Sequence, residues 1–267
     1  MGSYSNACAA SHYLNVSDKR AVEFMQLIAD TDGTDVIFIG ETHDVKTQHE
    51  NQLDIIRTLY AKRVPVAIGL EMFASDKQRQ LDDWTGGKLD ERDFKLIYSE
   101  NWSYDWMLYR DIFIFARDNH IPMIALNIPK PIILKVVALG SSSLNDNDKK
   151  EIPPHVSWKL NPFQTEYLKR IFAQVFGHNP KQLSFANFCE AQALRNDGMA
   201  WNITKYRKKY PKSKIVVITG TWHAVKSGVP EQLKQCDSLS STVILPELPE
   251  FNIQNATSDE VDYFMMK

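Results

Sequence analysis

Val36-Ile37-Phe38-Ile39-Gly40-Glu41-Thr42-His43 and Ile215-Val216-Val217-Ile218-Thr219-Gly220-Thr221-Trp222-His223 are two versions of one pattern. In each, a short β-branched apolar run leads into Gly-x-x-His. Runs of this kind, apolar on both faces, are the signature of strands inside a parallel sheet. A histidine just past the carboxyl end of such a strand lies where open α/β sheets bind their ligands. The two motifs are far apart in the chain, yet a doubly wound sheet carries both to one edge, so a single shared site is expected.

Outward from these strands, the chain alternates. Ser17-Asp18 reads as the cap of an amphipathic helix reaching about Asp30, with Ala21, Phe24, Met25 and Ile28 on one face. Asp35 to Ile39 is the first strand, and a helix from about Lys46 to Lys62 follows it. Val64 to Leu70 is a second strand ending in Glu71, and Pro122 to Leu126 is a third ending in Asn127. Short helices around 76–84 and 90–99 and a stronger one from about Tyr104 to Asn119 lie between them. From Pro129 to about Gly198 no strand is expected; helical segments near 163–176 and 184–195 make residues 129–200 a helical cap. The sheet resumes at Lys214 to Ile218, Thr242 to Leu245 adds a strand, and Val261 to Met265 reads as an edge strand. The expectation is one α/β domain over residues 1–267: a mostly parallel sheet flanked by helices, with a helical cap insertion.

Composition narrows the function classes. Hydrophobic content of 43% and charged content of 24% are those of an ordinary globular chain. A net charge of −2 supplies no field for nucleic acid, and the basic run from Lys205 to Lys214 reads as the solvated end of a helix. Cys8, Cys189 and Cys236 form no C-x-x-C, which argues against a zinc knuckle and a c-type haem attachment; Cys189 reads as a small buried hydrophobe, and a Cys189–Cys236 pair stays open. No stretch reaches the ~20 apolar residues of a membrane span. No leader is visible at the start of the sequence, and Cys8 after Ala7 is a weak signal for lipid attachment.

The chemistry concentrates at the predicted strand ends: Glu41 with His43, Glu71, and His223. Residues two apart in an extended segment point the same way, so Glu41 and His43 face one cavity about 7 Å apart. Two imidazoles and two carboxylates suit a zinc, manganese or iron shell, and equally an acid/base set. His49, one turn into the next helix, is placed to add a ligand or to orient one. Asn127 reads as a turn residue, and His12, His120, His155 and His178 as surface or loop positions. The stretch Trp102 to Tyr109, containing Tyr104 and Trp106, is either a helix packed on the sheet or a flat apolar wall for a planar ligand, with a tyrosine for ferric iron.

On these residues the chain resembles the ChaN-like haem-binding family, part of the superfamily that includes the Tiki, TraB and erythromycin-esterase proteins. The matching pieces are Gly40-Glu41-Thr42-His43-Asp44 with His49, Leu70-Glu71-Met72, and Tyr109 through Phe115-Ala116-Arg117 to Ile121-Pro122. Ala191-Gln192-Ala193-Leu194-Arg195, Met199-Ala200, and Gly220-x-x-His223 before Gly228-Val229-Pro230 continue the series over roughly residues 34 to 235. The resemblance implies a haem-binding protein of iron and haem uptake, on the periplasmic side of the cell envelope through a lipid-anchored N-terminus. It implies a haem-ligating tyrosine, with Tyr109 at a matching position and Tyr98 and Tyr104 as neighbouring alternatives; Trp106 and His49 join this cofactor set. By resemblance to the enzyme branches, Glu41, His43, Glu71 and His223 become the metal ligands or acid/base residues of a metal-dependent hydrolase. The expectation is therefore haem, or another planar small molecule, bound without turnover. Zinc- or manganese-dependent hydrolysis is the alternative, and a homodimer covering the flat ligand is the expected assembly.

Overall fold

The structure, a computed structural model, describes residues 13–176 and 183–266. Eight strands form one sheet in the order β2-β1-β8-β7-β3-β6-β4-β5. In chain order they are β1 (Tyr13–Asn15), β2 (Arg20–Val22), β3 (Val36–Glu41), β4 (Val66–Ala74), β5 (Met123–Asn127), β6 (Lys214–Gly220), β7 (Ser241–Pro246) and β8 (Tyr263–Met265). The pairs β3–β6, β3–β7, β4–β6, β4–β5 and β7–β8 are parallel, while β1 runs antiparallel to both β2 and β8. The sheet is thus mostly parallel, as the sequence predicts.

Period-two alternation explains how β3 is buried on both faces. Ile37 and Ile39 join Ile68, Leu70, Val216 and Ile218 in one core layer. Helices α1 (Phe24–Asp30), α2 (Lys46–Ala61), α3 (Gln78–Thr85), α4 (Glu91–Asn101) and α5 (Trp106–Asp118) contribute Ile28, Ile56, Trp84, Phe94 and Phe113 to that layer. Val36 and Phe38 point the other way, into a layer with Val217, Val243 and Leu245. Helices α8 (Phe185–Lys209) and α10 (Val229–Asp237) cover it with Met199, Ile203, Val229 and Leu233. A third apolar cluster lies between α6 (Lys130–Leu139) and α8, with Ile132 and Val136 against Ala191 and Leu194. Helix α7 (Pro162–Phe176) packs beside α8, and the one-turn α9 (Thr221–Ala224) follows β6 directly.

Five expectations are corrected. The helix expected from Ser17-Asp18 begins only at Phe24, because Asp18 is used in a hairpin turn instead of a cap: Arg20 Nη2 lies 2.6 Å from its carboxylate. Strand β4 runs on through Glu71 to Ala74, so Glu71 is inside a strand and not at its end. The segment near Val261 to Met265 is interior, since β8 sits between β7 and β1. The helix expected to stop near Arg195 continues unbroken through Gly198 to Lys209, leaving the cap region to cover the sheet. Its last turn holds Arg207, Lys208 and Lys209, the basic run read as a helix end. Cys189 is a free thiol and only partly buried, so it is not the buried hydrophobe expected; Cys8, His12, His178 and the Cys236 side chain lie outside the described residues. His120 and His155 are exposed. Among the described residues, no helix is long and apolar enough to cross a membrane.

Candidate functional site

Parallel pairing of β3 with β6 sets Gly40 opposite Thr219 and Glu41 opposite Gly220, so the two Gly-x-x-His motifs are immediate neighbours. Each glycine makes room for the other motif. A Cβ on Gly40 would stand 3.1 Å from the Thr221 Cα and 3.3 Å from the Ala224 Cβ, and one on Gly220 would stand 3.0 Å from His43 Cε1 and Nε2. His43 itself adopts a left-handed backbone, φ 71°, a conformation that non-glycine residues take mainly at turns and functional sites.

Glu41 is 2% exposed and fully engaged. Its Oε1 accepts from the Tyr109 hydroxyl and from His43 Nδ1 at 2.8 Å; its Oε2 accepts from Gln52 Nε2 at 2.8 Å and faces His49 Nδ1 at 3.1 Å. His49 Nε2 faces the His43 carbonyl at 3.2 Å, while its Nδ1 also faces Gln52 Oε1 at 3.1 Å. Every partner of both ring nitrogens is an acceptor, which assigns His49 as an imidazolium. Burial opposes charge on both groups; the hydrogen bond and charge of Glu41 nevertheless raise His49, and His43 and His49 hold Glu41 down to about 2. His49 therefore orients the site and is not exposed to a ligand.

Glu71, 3% exposed, is equally occupied. Its Oε2 accepts from Thr219 Oγ1 at 2.5 Å and the Gly220 N–H at 2.6 Å, and its Oε1 accepts from Arg195 Nη2. Burial raises its pKa, but Arg195, His223 and His43 outweigh this and keep it well below the usual carboxylate range. Asn127, expected as a turn residue, buttresses this pair: its Nδ2 donates to the Glu71 carbonyl at 3.0 Å and its Oδ1 accepts from Arg195 Nε at 3.4 Å.

The two motif histidines are shifted in opposite directions. Burial lowers the pKa of His43, yet Glu41 at its Nδ1 and the nearby Glu71 charge raise it overall. His223 Nδ1 donates to Asn196 Oδ1 at 2.6 Å, leaving Nε2 as an acceptor 3.8 Å from Glu71 Oε1. Burial and the Arg195 charge push His223 down to about 3, so it is neutral.

Two cavities flank this cluster. One, of about 390 Å³ beneath α7 and α8, has His43, His223 and Arg195 on its polar side, facing Tyr167, Phe188 and Trp222. The other, of about 630 Å³, is an open groove between Trp102, Lys77 and the first turn of α6; Glu71, Gln192 and Arg195 border both. Both volumes fall in the range of small-molecule sites.

Glu41, His43, Glu71 and His223 thus meet at one sheet edge, as the sequence predicts. Their carboxylates, however, are saturated by Tyr109, Gln52, Arg195 and backbone. Among the described residues no group of three or more His, Cys, Asp or Glu side chains is arranged to hold a metal ion, so the zinc or manganese alternative finds no support. The expected aromatic set divides. Tyr109, Tyr98 and Trp106 are core residues. Tyr109 is committed to Glu41, Tyr98 donates to the Tyr104 carbonyl at 3.0 Å, and Trp106 Nε1 points to Glu91 at 3.4 Å. Burial first, then the Glu41 charge, raises both buried phenols well above their usual range. Tyr104 alone of the three is exposed, at 36%, its ring 5.0 Å from His43 and 5.5 Å from Trp102. Sequence reading gave no role to Asn196 or Gln52, and Arg195 entered it only as part of a matching stretch. The one available signal was the polar run Arg195-Asn196-Asp197 at positions that the helix turns inward.

Comparison with known proteins sets this geometry in context. Residues 27–233 match the model of a family described as haem-binding uptake, Tiki superfamily, ChaN. ChaN of Campylobacter jejuni, solved with cofacial haem, aligns over 97% of each chain with a TM-score of 0.75 at 17% identity. An erythromycin esterase variant in its open conformation aligns over 95% of this chain and 82% of its own, with a TM-score of 0.53 at 11% identity. At these identities the likeness is one of fold. The Arabidopsis thaliana chloroplastic protein RETICULATA-RELATED 5 is 26% identical over 126 residues, spanning 45% of this chain and 17% of that protein's length.

Proposed function

Because the chain belongs to the haem-binding uptake family of the Tiki superfamily that includes ChaN, we propose that it binds haem at the mouth of this site, with Tyr104 facing the iron. The observation that carries the reading is the exposure of Tyr104 beside His43 and Trp102. A flat macrocycle needs an aromatic or apolar surface and one donor that reaches the metal, and phenolate is an established ligand of ferric haem. Tyr109 and Tyr98 fail that requirement, since their hydroxyls are buried and already hydrogen-bonded. Burial, followed by the charges of Asp44, Glu71 and Glu41, raises the Tyr104 phenol, so it is protonated until a ligand displaces the proton. Ligand binding and proton release are then coupled.

The buried network has a positioning role in this reading. Gln52, His49 and Tyr109 fix Glu41, Glu41 fixes the His43 ring, and that ring packs against Trp102 and Tyr104. Hydrolysis at Glu41, His43, Glu71 and His223 is not favoured, since the matched family is a haem-binding one. The proposal extends to haem-iron uptake at the cell envelope, which cell fractionation and haem-dependent growth of a deletion strain test directly. Binding itself is tested by titrating the purified protein with haemin. A saturable shift of the haem absorbance band with whole-number stoichiometry is expected, and a spectrum indistinguishable from free haemin refutes the reading.

A further inference from the structure

We infer that Lys130 is the carboxylate clamp of the haem site, and that the groove beside Trp102 receives the propionate edge of the macrocycle; this rests on the haem reading above. Haem is an amphipathic dianion, so its site needs an apolar wall for the ring and a cation for the carboxylates. The 630 Å³ groove offers both: Met72, Trp102, Ile133 and Leu134 supply apolar surface, and Leu134 is 56% exposed.

Three cations border the groove, and two are already engaged. Arg195 is bound by Glu71 and by Gln192 Oε1 at 3.2 Å, and Lys77 Nζ lies 3.4 Å from Asp76. Lys130, the first residue of α6, is exposed and forms no ion pair with another described residue. The first turn of α6 carries no acidic residue to compete for it. Of the acidic side chains on the groove, Glu71 is neutralised by Arg195 and Asp76 by Lys77. Glu100, on the last turn of α4, is left on the groove's other element and repels a carboxylate there. One rim attracts carboxylate and the other repels it, which fixes the ring's orientation as well as contributing affinity.

The test is a haemin titration of the full chain as wild type, K130A, K130E and K130R, repeated with haemin dimethyl ester, which keeps the ring and iron but lacks the negative charges. K130A should weaken haemin binding about threefold and K130E about tenfold, with K130R close to wild type. The ester should bind wild type and K130E alike, and added salt should weaken haemin binding to wild type more than to K130E. The haemin spectrum at saturation should not change, because the iron ligand is elsewhere. Equal haemin affinity for wild type and K130E, or an ester as sensitive to K130E as haemin, overturns the assignment while leaving the haem reading intact. A wild-type protein with no saturable haemin spectrum removes both together.

Discussion

Gly220 has no side chain because the His43 ring occupies the space one would need, with Cε1 and Nε2 3.0 Å from the position of a Cβ. The ring cannot retreat freely, since Glu41 holds its Nδ1. Gly220→Ala should therefore destabilise the fold by about 1–3 kcal/mol, read from the denaturation midpoint. An unchanged midpoint would show that the ring is not fixed. His223 gives a second residue-scale prediction. Its pKa, lowered to about 3, lies below the ordinary 6.5, so its contribution is complete above 6.5 and is lost as pH falls toward 3. His43 and His49, both raised, contribute stability that is complete below the ordinary 6.5 and is lost only as pH rises above it, so they meet the His223 window only at its upper edge, and a difference between proteins isolates His223. Between about pH 7 and about pH 5, His223→Gln should lose about 1–2 kcal/mol less stability than wild type. Identical pH dependence in denaturant titrations would show that His223 is not kept neutral. At this scale Glu41, His43 and His223 were legible, because an apolar β-branched run leads directly into each Gly-x-x-His motif, whereas Glu71 was placed at a strand end although β4 runs on past it to Ala74. Arg195 and Asn196 were not: a polar residue on a helix is ordinarily solvated, and only tertiary contact shows that these face Glu71 and His223.

At the scale of elements, the longest helix shows why local reading stops short. Gly198 looks like a helix terminator, yet α8 passes through it because the β5–α6 junction packs there: a Cβ would fall 2.4 Å from Ile128 Cγ1 and 2.5 Å from Cδ1. Close approach, and not flexibility, is the reason for the glycine. Alanine is the better helix former by about 1 kcal/mol, but the clash dominates, and Gly198→Ala should destabilise by about 1–2 kcal/mol net. Combining it with Ile128→Ala should cost less than the sum of the two, since the second change vacates the contested space. Strict additivity in a denaturation double-mutant cycle would refute the contact. The β1–β2 hairpin was illegible for a different reason. Three-residue strands carry almost no periodic signal, and β1 is held by β8 from the far end of the chain, Leu14 opposite Phe264.

For the molecule as a whole, parallel strands β3, β6, β4 and β5 stack their carboxyl ends on one side, and the polar network, both cavities and the exposed aromatic rim gather there. This much followed from the alternation of strands and helices together with the paired motifs. The division of labour within the site did not follow, because exposure decides it: among the tyrosines at 98, 104 and 109 the resemblance put Tyr109 first, yet only Tyr104 reaches the surface. The most direct test of the account is the ferric spectrum of the haemin complex, compared between wild type and Tyr104→Phe. A charge-transfer band characteristic of ferric phenolate, present in wild type and in Tyr98→Phe but absent in Tyr104→Phe, is the predicted result. A Tyr104→Phe protein that keeps that band would contradict it.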